Sequence, residues 1–294
     1  MFPINYQEPL FRPPSEARSL ILQITYGCSW NKCAFCDMYS EKAFKIRPEI
    51  DVFKDIDAFI PYKDSIRRVF LADGDALVLS TPKLLRILQR LKETFPRLTR
   101  ISTYASPNNI ARKSLQELEE LKSAGLALLY VGIESGDDTV LKAVNKGDTF
   151  ASTVSALNLA KQSGLNASVM IITGLGGKEL SKNHAINSAK VLNETQTKYA
   201  STLVLNTYKG LEHFKSRYKG NFVLQNQIEL LEEMRLFLEH TQLNETIYRS
   251  DHASNYLSLK GVLGKDKEKF LSEINSVLSN QDYHKLRKEE QRGF

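Results

Sequence analysis

Short apolar runs alternate with helical stripes along the first two thirds of the chain. The runs Leu20–Thr25, Arg68–Ala72, Arg100–Tyr104, Ala127–Ile133, Ala167–Thr173 and Thr202–Leu205 have strand length and are bounded by polar or glycine residues. Between them, helical periodicity predicts helices near Glu49–Ile60, Pro82–Phe95, Lys113–Ala124, Asp138–Val144, Ala151–Ser163 and Lys182–Glu194. Leu115, Leu118 and Leu121 form one such stripe, and Gly125 supplies a C-terminal stop. Strand–helix alternation at this rhythm predicts a parallel sheet, and six such units suit an incomplete (β/α)6 barrel of α/β class.

Each apolar run hands over to polar or glycine residues at its C-terminal end. These are Tyr26-Gly27, Asp73-Gly74-Asp75, Tyr104-Ala-Ser106, Glu134-Ser135-Gly136, Gly174 to Gly177, and Asn206 to Tyr208. A parallel barrel places its active site at that rim. Pro3, Pro9, Pro13 and Pro14 make residues 1–18 an extended arm. Residues 19–210 then form the barrel. Residues 211–294 read as a mostly helical cap, with helices at Gln227–His240 and around Asp266–Leu278.

Composition narrows the class. Hydrophobic residues make up 42% of the chain, enough for a sizeable core. No apolar run approaches the ~18 residues of a membrane span, and no secretory pattern opens the sequence, so a cytoplasmic protein with no membrane partner is expected. The net charge is +6. Basic residues nevertheless interleave with acidic ones from Lys260 onward, which describes a solvated helical surface rather than a nucleic-acid patch.

Chemistry concentrates in one loop. All three cysteines fall in Cys28-Ser-Trp-Asn-Lys-Cys33-Ala-Phe-Cys36. The C-x4-C-x2-C spacing opens a plant-type ferredoxin pattern, but the fourth cysteine of that pattern is absent. Structural zinc would need a histidine as fourth ligand, and His184, His213, His240, His252 and His284 all lie far along the chain. An odd cysteine count argues against a disulfide framework. A [4Fe–4S] cluster with three protein-ligated irons fits best, zinc being the alternative, and its vacant position implies chemistry.

This segment resembles the cluster loop of the radical S-adenosylmethionine (radical SAM) superfamily, with one residue more than the commonest C-x3-C-x2-C spacing. The resemblance implies that Cys28, Cys33 and Cys36 hold a [4Fe–4S] cluster and that S-adenosylmethionine (SAM) chelates the fourth iron. It also implies reductive cleavage of SAM to a 5′-deoxyadenosyl radical, and a reducing, anaerobic setting. Phe35 matches the position beside the adenine. Asp73-Gly74-Asp75 stands where the superfamily often has Gly-Gly-Glu, which holds the SAM ammonium; the bland reading is an Asp-Gly turn. Tyr130-Val-Gly-Ile-Glu134-Ser135-Gly136 resembles the fourth-strand motif, with Glu134 reaching the ribose or methionyl part. Val169-Met-Ile-Ile172-Thr-Gly174-Leu-Gly176-Gly177 resembles the glycine motif of the adenine pocket. A phosphate loop is excluded there, because Gly-x4-Gly-Lys-Ser/Thr is missing. Ser106 and Tyr208 join Ile172, Gly174 and Gly177 as candidate SAM-binding residues of the rim.

The resemblance covers residues 19–208 and lies nearest the branch of oxygen-independent coproporphyrinogen oxidase and tRNA-modifying radical enzymes. Past Gly210, Asp251-His252 with Ser254, Asn255 and Tyr256 is the densest polar group. It reads either as substrate or proton machinery, with Asp251 and His252 catalytic, or as a capped surface loop. The expected function is hydrogen abstraction from a small-molecule substrate, with an electron donor such as flavodoxin or ferredoxin. A radical enzyme acting on tRNA and a non-enzymatic iron–sulfur or zinc module are the rival readings. All three cysteines belong to one motif, so an outcome that consumes a second cluster is disfavoured.

Overall fold

The structure, a computed structural model, describes residues 4–280, 284 and 286–292. Its main sheet has eight strands: β1 Leu20–Gln23, β2 Arg68–Ala72, β3 Arg100–Ala105, β4 Leu126–Glu134, β5 Asn166–Thr173, β6 Tyr199–Val204, β7 Thr246–Arg249 and β8 Lys260–Leu263. Their spatial order follows the chain order. That is the pattern expected when each parallel strand is followed by a crossover helix. The chain divides into two compact units, one comprising residues up to Asn31, Cys36–Val131 and Asn158–Ala167, the other Lys32–Phe35, Gly132–Leu157 and residues from Ser168 on.

In the first unit, β1, β2, β3 and β4 pair in parallel, with Leu22 opposite Leu71, Val69 opposite Ile101, and Thr103 opposite Leu129. Val69, Phe70 and Leu71 are all buried, so both faces of β2 are covered. That explains why its run is continuously apolar instead of alternating. The helices are α1 Glu49–Ala58, α2 Thr81–Thr94, α3 Pro107–Ala111 and α4 Leu115–Ser123. α2 buries Leu84, Ile87, Leu88 and Leu91, a 3–4 residue stripe. α4 starts at a reciprocal Ser114–Glu117 capping box, which fixes where the helix begins.

The second unit carries α5 Asp138–Ala143, α6 Phe150–Gln162, α7 Gly177–Thr195, α8 Leu211–Arg217, α9 Gln227–His240 and α10 Lys267–Asn280; α6 ends within the first unit. β5, β6 and β7 pair in parallel, and β8 returns antiparallel on β7. Among the described residues beyond Gly210, two strands therefore join three α-helices. They are only four residues long, and β7 alternates buried Thr246 and Tyr248 with less buried Ile247 and Arg249. So short a period-2 segment carries little signal against neighbouring helical runs. No described helix is long and apolar enough to cross a membrane.

Candidate functional site

The first unit gathers polar groups where β2 ends. Asp73 is fully buried and paired with Lys42, whose Nζ lies 2.7 Å from Oδ2. It also accepts from the Gly27 N–H at 3.2 Å. Burial pushes the Asp73 carboxyl above its ordinary value, and the Lys42 ammonium and Gly27 amide pull against that shift. Lys42 in turn donates to the carbonyls of Gln7 and Pro9, at 2.5 and 3.0 Å. Asp73 thus anchors the turn to the cluster loop and the N-terminal arm.

Asp75, two residues on, has a different environment. It is 1% exposed, and its Oδ2 accepts from Ser29 Oγ (2.8 Å), Ser106 Oγ (3.1 Å) and Asn109 Nδ2. Its Oδ1 is buried with no partner among the described residues. Among the described residues no cation pairs with it directly; Lys113 donates instead to Leu79 O at 2.8 Å and Thr81 Oγ1 at 3.4 Å. Burial raises the Asp75 carboxyl pKa, and the neutral donors only partly offset it. Gly74 lies between the two acids. A Cβ there would meet Tyr39 Cε2 at 2.5 Å and Cys28 Cβ at 3.1 Å, so glycine allows the turn to close onto the cysteine loop. The Tyr39 phenol is raised by burial and by Asp73, with smaller contributions that include Cys36.

None of the three cysteines is in a disulfide; Cys33 is buried, Cys28 and Cys36 partly so. Asn31, inside the wide first gap, has φ +47° and donates to Tyr39 O at 2.8 Å. The short piece Lys32–Phe35 belongs to the second unit. It is held by Ala34 N–H to Val144 O (2.8 Å), Asn145 Nδ2 to Lys32 O (3.2 Å) and Arg217 Nη2 to Cys33 O (2.7 Å). Phe35 packs against the apolar cluster containing Val144, Leu175, Phe214 and Phe222. Among the described residues, no three His, Cys, Asp or Glu side chains are gathered tightly enough to hold a metal ion, the three thiols included. The fit to a cluster with SAM therefore rests on the chemistry of three reduced thiols in one loop, and on the buried Asp75 carboxylate, whose Oδ1 has no partner among the described residues and suits an ammonium.

The second unit holds the remaining rim residues. Glu134 has φ +64°, and the Ser135 N–H donates to Ile133 O at 2.8 Å across it, a tight and strained γ-turn. Its carboxylate is raised by burial and opposed by Lys146, at 3.7 Å. Gly174 (φ +87°) donates its N–H to Glu233 Oε1 at 2.7 Å. Gly177 (φ +59°) opens α7, and a Cβ there would press on Val223 O at 2.9 Å. Ile172 packs on the same cluster as Phe35. Tyr208 is 61% exposed.

The Asp251-His252 group is a fastened loop. His252 Nδ1 meets Ser254 Oγ at 2.9 Å; Ser254 Oγ accepts from the Val204 N–H, and Asn255 Nδ2 donates to Thr202 O. Arg287 donates to the carbonyls of Asp251, His252 and Asn255. Ser254 and Asn255 thus satisfy backbone groups of β6, while Asp251 is exposed, with Arg249 at 3.7 Å.

Sequence reasoning passed over Ser29, Lys42, Asn109, His184 and Glu233. The last had a signal: it occupies a position in the buried stripe of Leu230, Leu231, Met234, Phe237 and Leu238, where a carboxylate is out of place unless it has a task.

A profile of the radical SAM superfamily matches residues 22–187. The chain belongs to that superfamily, whose enzymes work with a [4Fe–4S] cluster and SAM. It is 24% identical over 176 residues to a putative methylthiotransferase of Methanocaldococcus jannaschii, covering 55% of this chain and 38% of that protein. It is 29% identical over 151 residues to the heme chaperone HemW of Haemophilus influenzae, covering 46% and 38%. The chain thus spans well under half the length of these relatives. Among solved structures, coproporphyrinogen III oxidase (HemN) from Escherichia coli superposes with a TM-score of 0.58 at 20% identity, covering 75% of this chain and 52% of that one. That likeness bears out the incomplete α/β barrel expected from the strand–helix rhythm.

Proposed function

We propose that this chain is a radical SAM enzyme that cleaves SAM reductively and abstracts hydrogen from a small-molecule substrate. The observation that carries the reading is the close approach of Gly74 to Cys28, with Asp75 buried next to them: its Oδ2 accepts from Ser29 and its Oδ1 has no partner among the described residues. Cys28, Cys33 and Cys36 would hold the cluster. Cluster and SAM supply, when bound, one electron to the sulfonium and a carbon radical that takes a hydrogen atom. The protein's residues bind and orient. Asp75 would receive the SAM ammonium, which supplies a cation that no described residue provides. Asp73, committed to Lys42, would fix the turn, and Ser106 would hold Asp75 in place.

Glu134 would receive the ribose or methionyl hydrogen bonds, and Phe35, Ile172, Gly174, Gly177 and Tyr208 would flank the adenosyl part. Asp251 and His252, in the segment after residue 210, would face substrate. A reducing electron donor, such as a flavodoxin or ferredoxin in the cytoplasm, completes this reading. The test is anaerobic reconstitution followed by electron paramagnetic resonance of the reduced protein with and without SAM. A spectrum altered by SAM, and release of 5′-deoxyadenosine with dithionite, are expected. Stoichiometric zinc, or a centre indifferent to SAM, would overturn the proposal in favour of a non-enzymatic module.

A further inference from the structure

Beneath the ends of β4 and β5 lies a buried polar chain that the function above leaves unused. Glu233, on α9, is 3% exposed, and His184, on α7, is 1% exposed. Glu233 Oε1 accepts from the Gly174 N–H at 2.7 Å, and Oε2 from Ser181 Oγ at 2.5 Å. Ser181 Oγ also accepts from Gln225 Nε2 at 3.0 Å. His184 Nε2 faces Glu233 Oε1 at 3.6 Å, and its Nδ1 meets Ser135 Oγ at 2.8 Å. Ser135 Oγ accepts from the Asp137 N–H at 2.9 Å. His184 thus bridges the two ends, one ring nitrogen at Ser135 Oγ and the other facing the Glu233 carboxylate.

This chain touches two rim positions with positive φ, Gly174 itself and the turn at Glu134. At one end it takes the amide of Gly174, the first residue of the glycine loop. At the other it holds Ser135, whose N–H closes the γ-turn around Glu134. Neither point is held by a regular strand ladder, because β4 ends at Glu134 and β5 at Thr173. A buried carboxylate costs free energy unless its hydrogen bonds compensate. Here its partners converge on the two loops that the proposed function assigns to SAM.

We infer that Glu233 is a positioning residue for SAM: through Gly174 directly, and through His184 and Ser135 indirectly, it sets the geometry of the glycine loop and of Glu134. This rests on the SAM-binding role proposed for those loops. It assigns to α9, a helix outside the segment matched by the superfamily profile, a supporting part behind the cofactor site.

The test compares Glu233→Ala, Glu233→Gln and the exposed neighbour Glu232→Ala as anaerobically reconstituted full-length proteins. Iron and sulfide content, circular dichroism and SAM affinity by titration are the readouts. Glu233→Ala should keep its iron but bind SAM about tenfold more weakly, as befits loss of a charge-assisted hydrogen bond to a binding loop. Glu233→Gln retains an acceptor for Gly174 and should recover most of the affinity, while Glu232→Ala should match wild type. Ser135→Ala breaks the chain at the other end. Its loss of affinity should not add to that of Glu233→Ala, because coupled neighbours are non-additive. If Glu233→Ala does not fold, Ser135→Ala carries the test alone: it should keep its iron and bind SAM more weakly than wild type. Unchanged SAM affinity in Glu233→Ala, strict additivity of Ser135→Ala with Glu233→Ala, or, where Glu233→Ala does not fold, unchanged SAM affinity in Ser135→Ala would overturn the inference. Failure of wild type itself to bind SAM would instead sink the proposed function.

Discussion

Gly132 vacates the space that the carboxylate of Glu134 occupies: a Cβ on Gly132 would collide with Glu134 Oε1. The two residues lie on the same face of β4, and the positive φ of Glu134 folds its side chain back over its own strand. Lys146 then meets the carboxylate at 3.7 Å. Gly132→Ala should therefore displace the carboxylate without touching the cysteines. Iron content should stay at the wild-type level and stability should change by less than about 1 kcal/mol, because the colliding atom is the free end of a side chain. SAM affinity should fall toward that of Glu134→Ala. A Gly132→Ala protein that binds SAM as wild type does would mean that the orientation of Glu134 is irrelevant to the cofactor.

Wild-type protein reconstituted without oxygen should hold about four irons and four sulfides per chain, and Cys28→Ala, Cys33→Ala or Cys36→Ala should each abolish this. The wide first gap depends on Asn31, which tolerates the left-handed backbone better than most residues and ties back to Tyr39 O. Asn31→Val should cost about 1–2 kcal/mol and lower the iron content, because a β-branched side chain clashes at positive φ. Asn31→Gly, which relieves the same clash, should load more iron than Asn31→Val. Equal iron content in the two variants would remove the backbone argument.

Much of this architecture was legible because its signals are long or repeated. β2 and α9 have the bounds that their apolar runs predict, Arg68–Ala72 and Gln227–His240. α7 starts earlier than its apolar stripe, at Gly177, because Glu179 and its polar neighbours at its start obscure the periodicity. The rim residues were visible as polar interruptions after buried strands. Their division of labour was not: Asp73 and Asp75 look equivalent in Asp-Gly-Asp, and the fold separates them by giving Asp73 to Lys42 and Asp75 to Ser29, Ser106 and Asn109. Lys42 is 31 residues away in sequence, so no local pattern could supply that pairing. The same holds for Arg217 on the Cys33 carbonyl and for Glu233 under Gly174. The Asp251-His252 group looked like machinery because it is dense in polar residues. In the fold, Ser254 and Asn255 are taken up by the backbone of β6.

The buried charge of Asp75 should be visible in the pH dependence of stability. Its folded pKa lies above the ordinary 3.8. A raised acid favours the protonated form in the fold, so it imposes no penalty below pH 3.8, where both states are neutral. The penalty grows as pH rises through that value and is complete above the folded pKa. Asp75→Asn stays neutral and can keep an oxygen toward Ser29, Ser106 and Asn109. Its stability advantage over wild type should widen with rising pH and then level off, as read by urea unfolding of the cluster-free protein. SAM affinity should move the other way, dropping in Asp75→Asn because the proposed site assigns Asp75 as the anion for the SAM ammonium. An advantage independent of pH would mean that another group already neutralises the charge.

His252 gives the opposite sign and a separate test of the distal loop. Burial and the Arg287 guanidinium lower its pKa below the ordinary 6.5, with Asp251 opposing. A lowered histidine favours the neutral form in the fold. Its contribution is therefore complete above pH 6.5 and is lost as pH falls from there toward the folded pKa. Wild-type stability should decline on acidification across that window, and His252→Ala should lack this part of the slope. Function separates from stability in the same variant. The cysteines, Asp75 and Glu134 are untouched, so iron content and slow, uncoupled formation of 5′-deoxyadenosine should persist. Product formation should fail if His252 faces substrate. Retention of full activity would reduce the group to a loop fastener, a role already filled by Ser254, Asn255 and Arg287. Loss of SAM cleavage would move His252 from the substrate side to the cofactor.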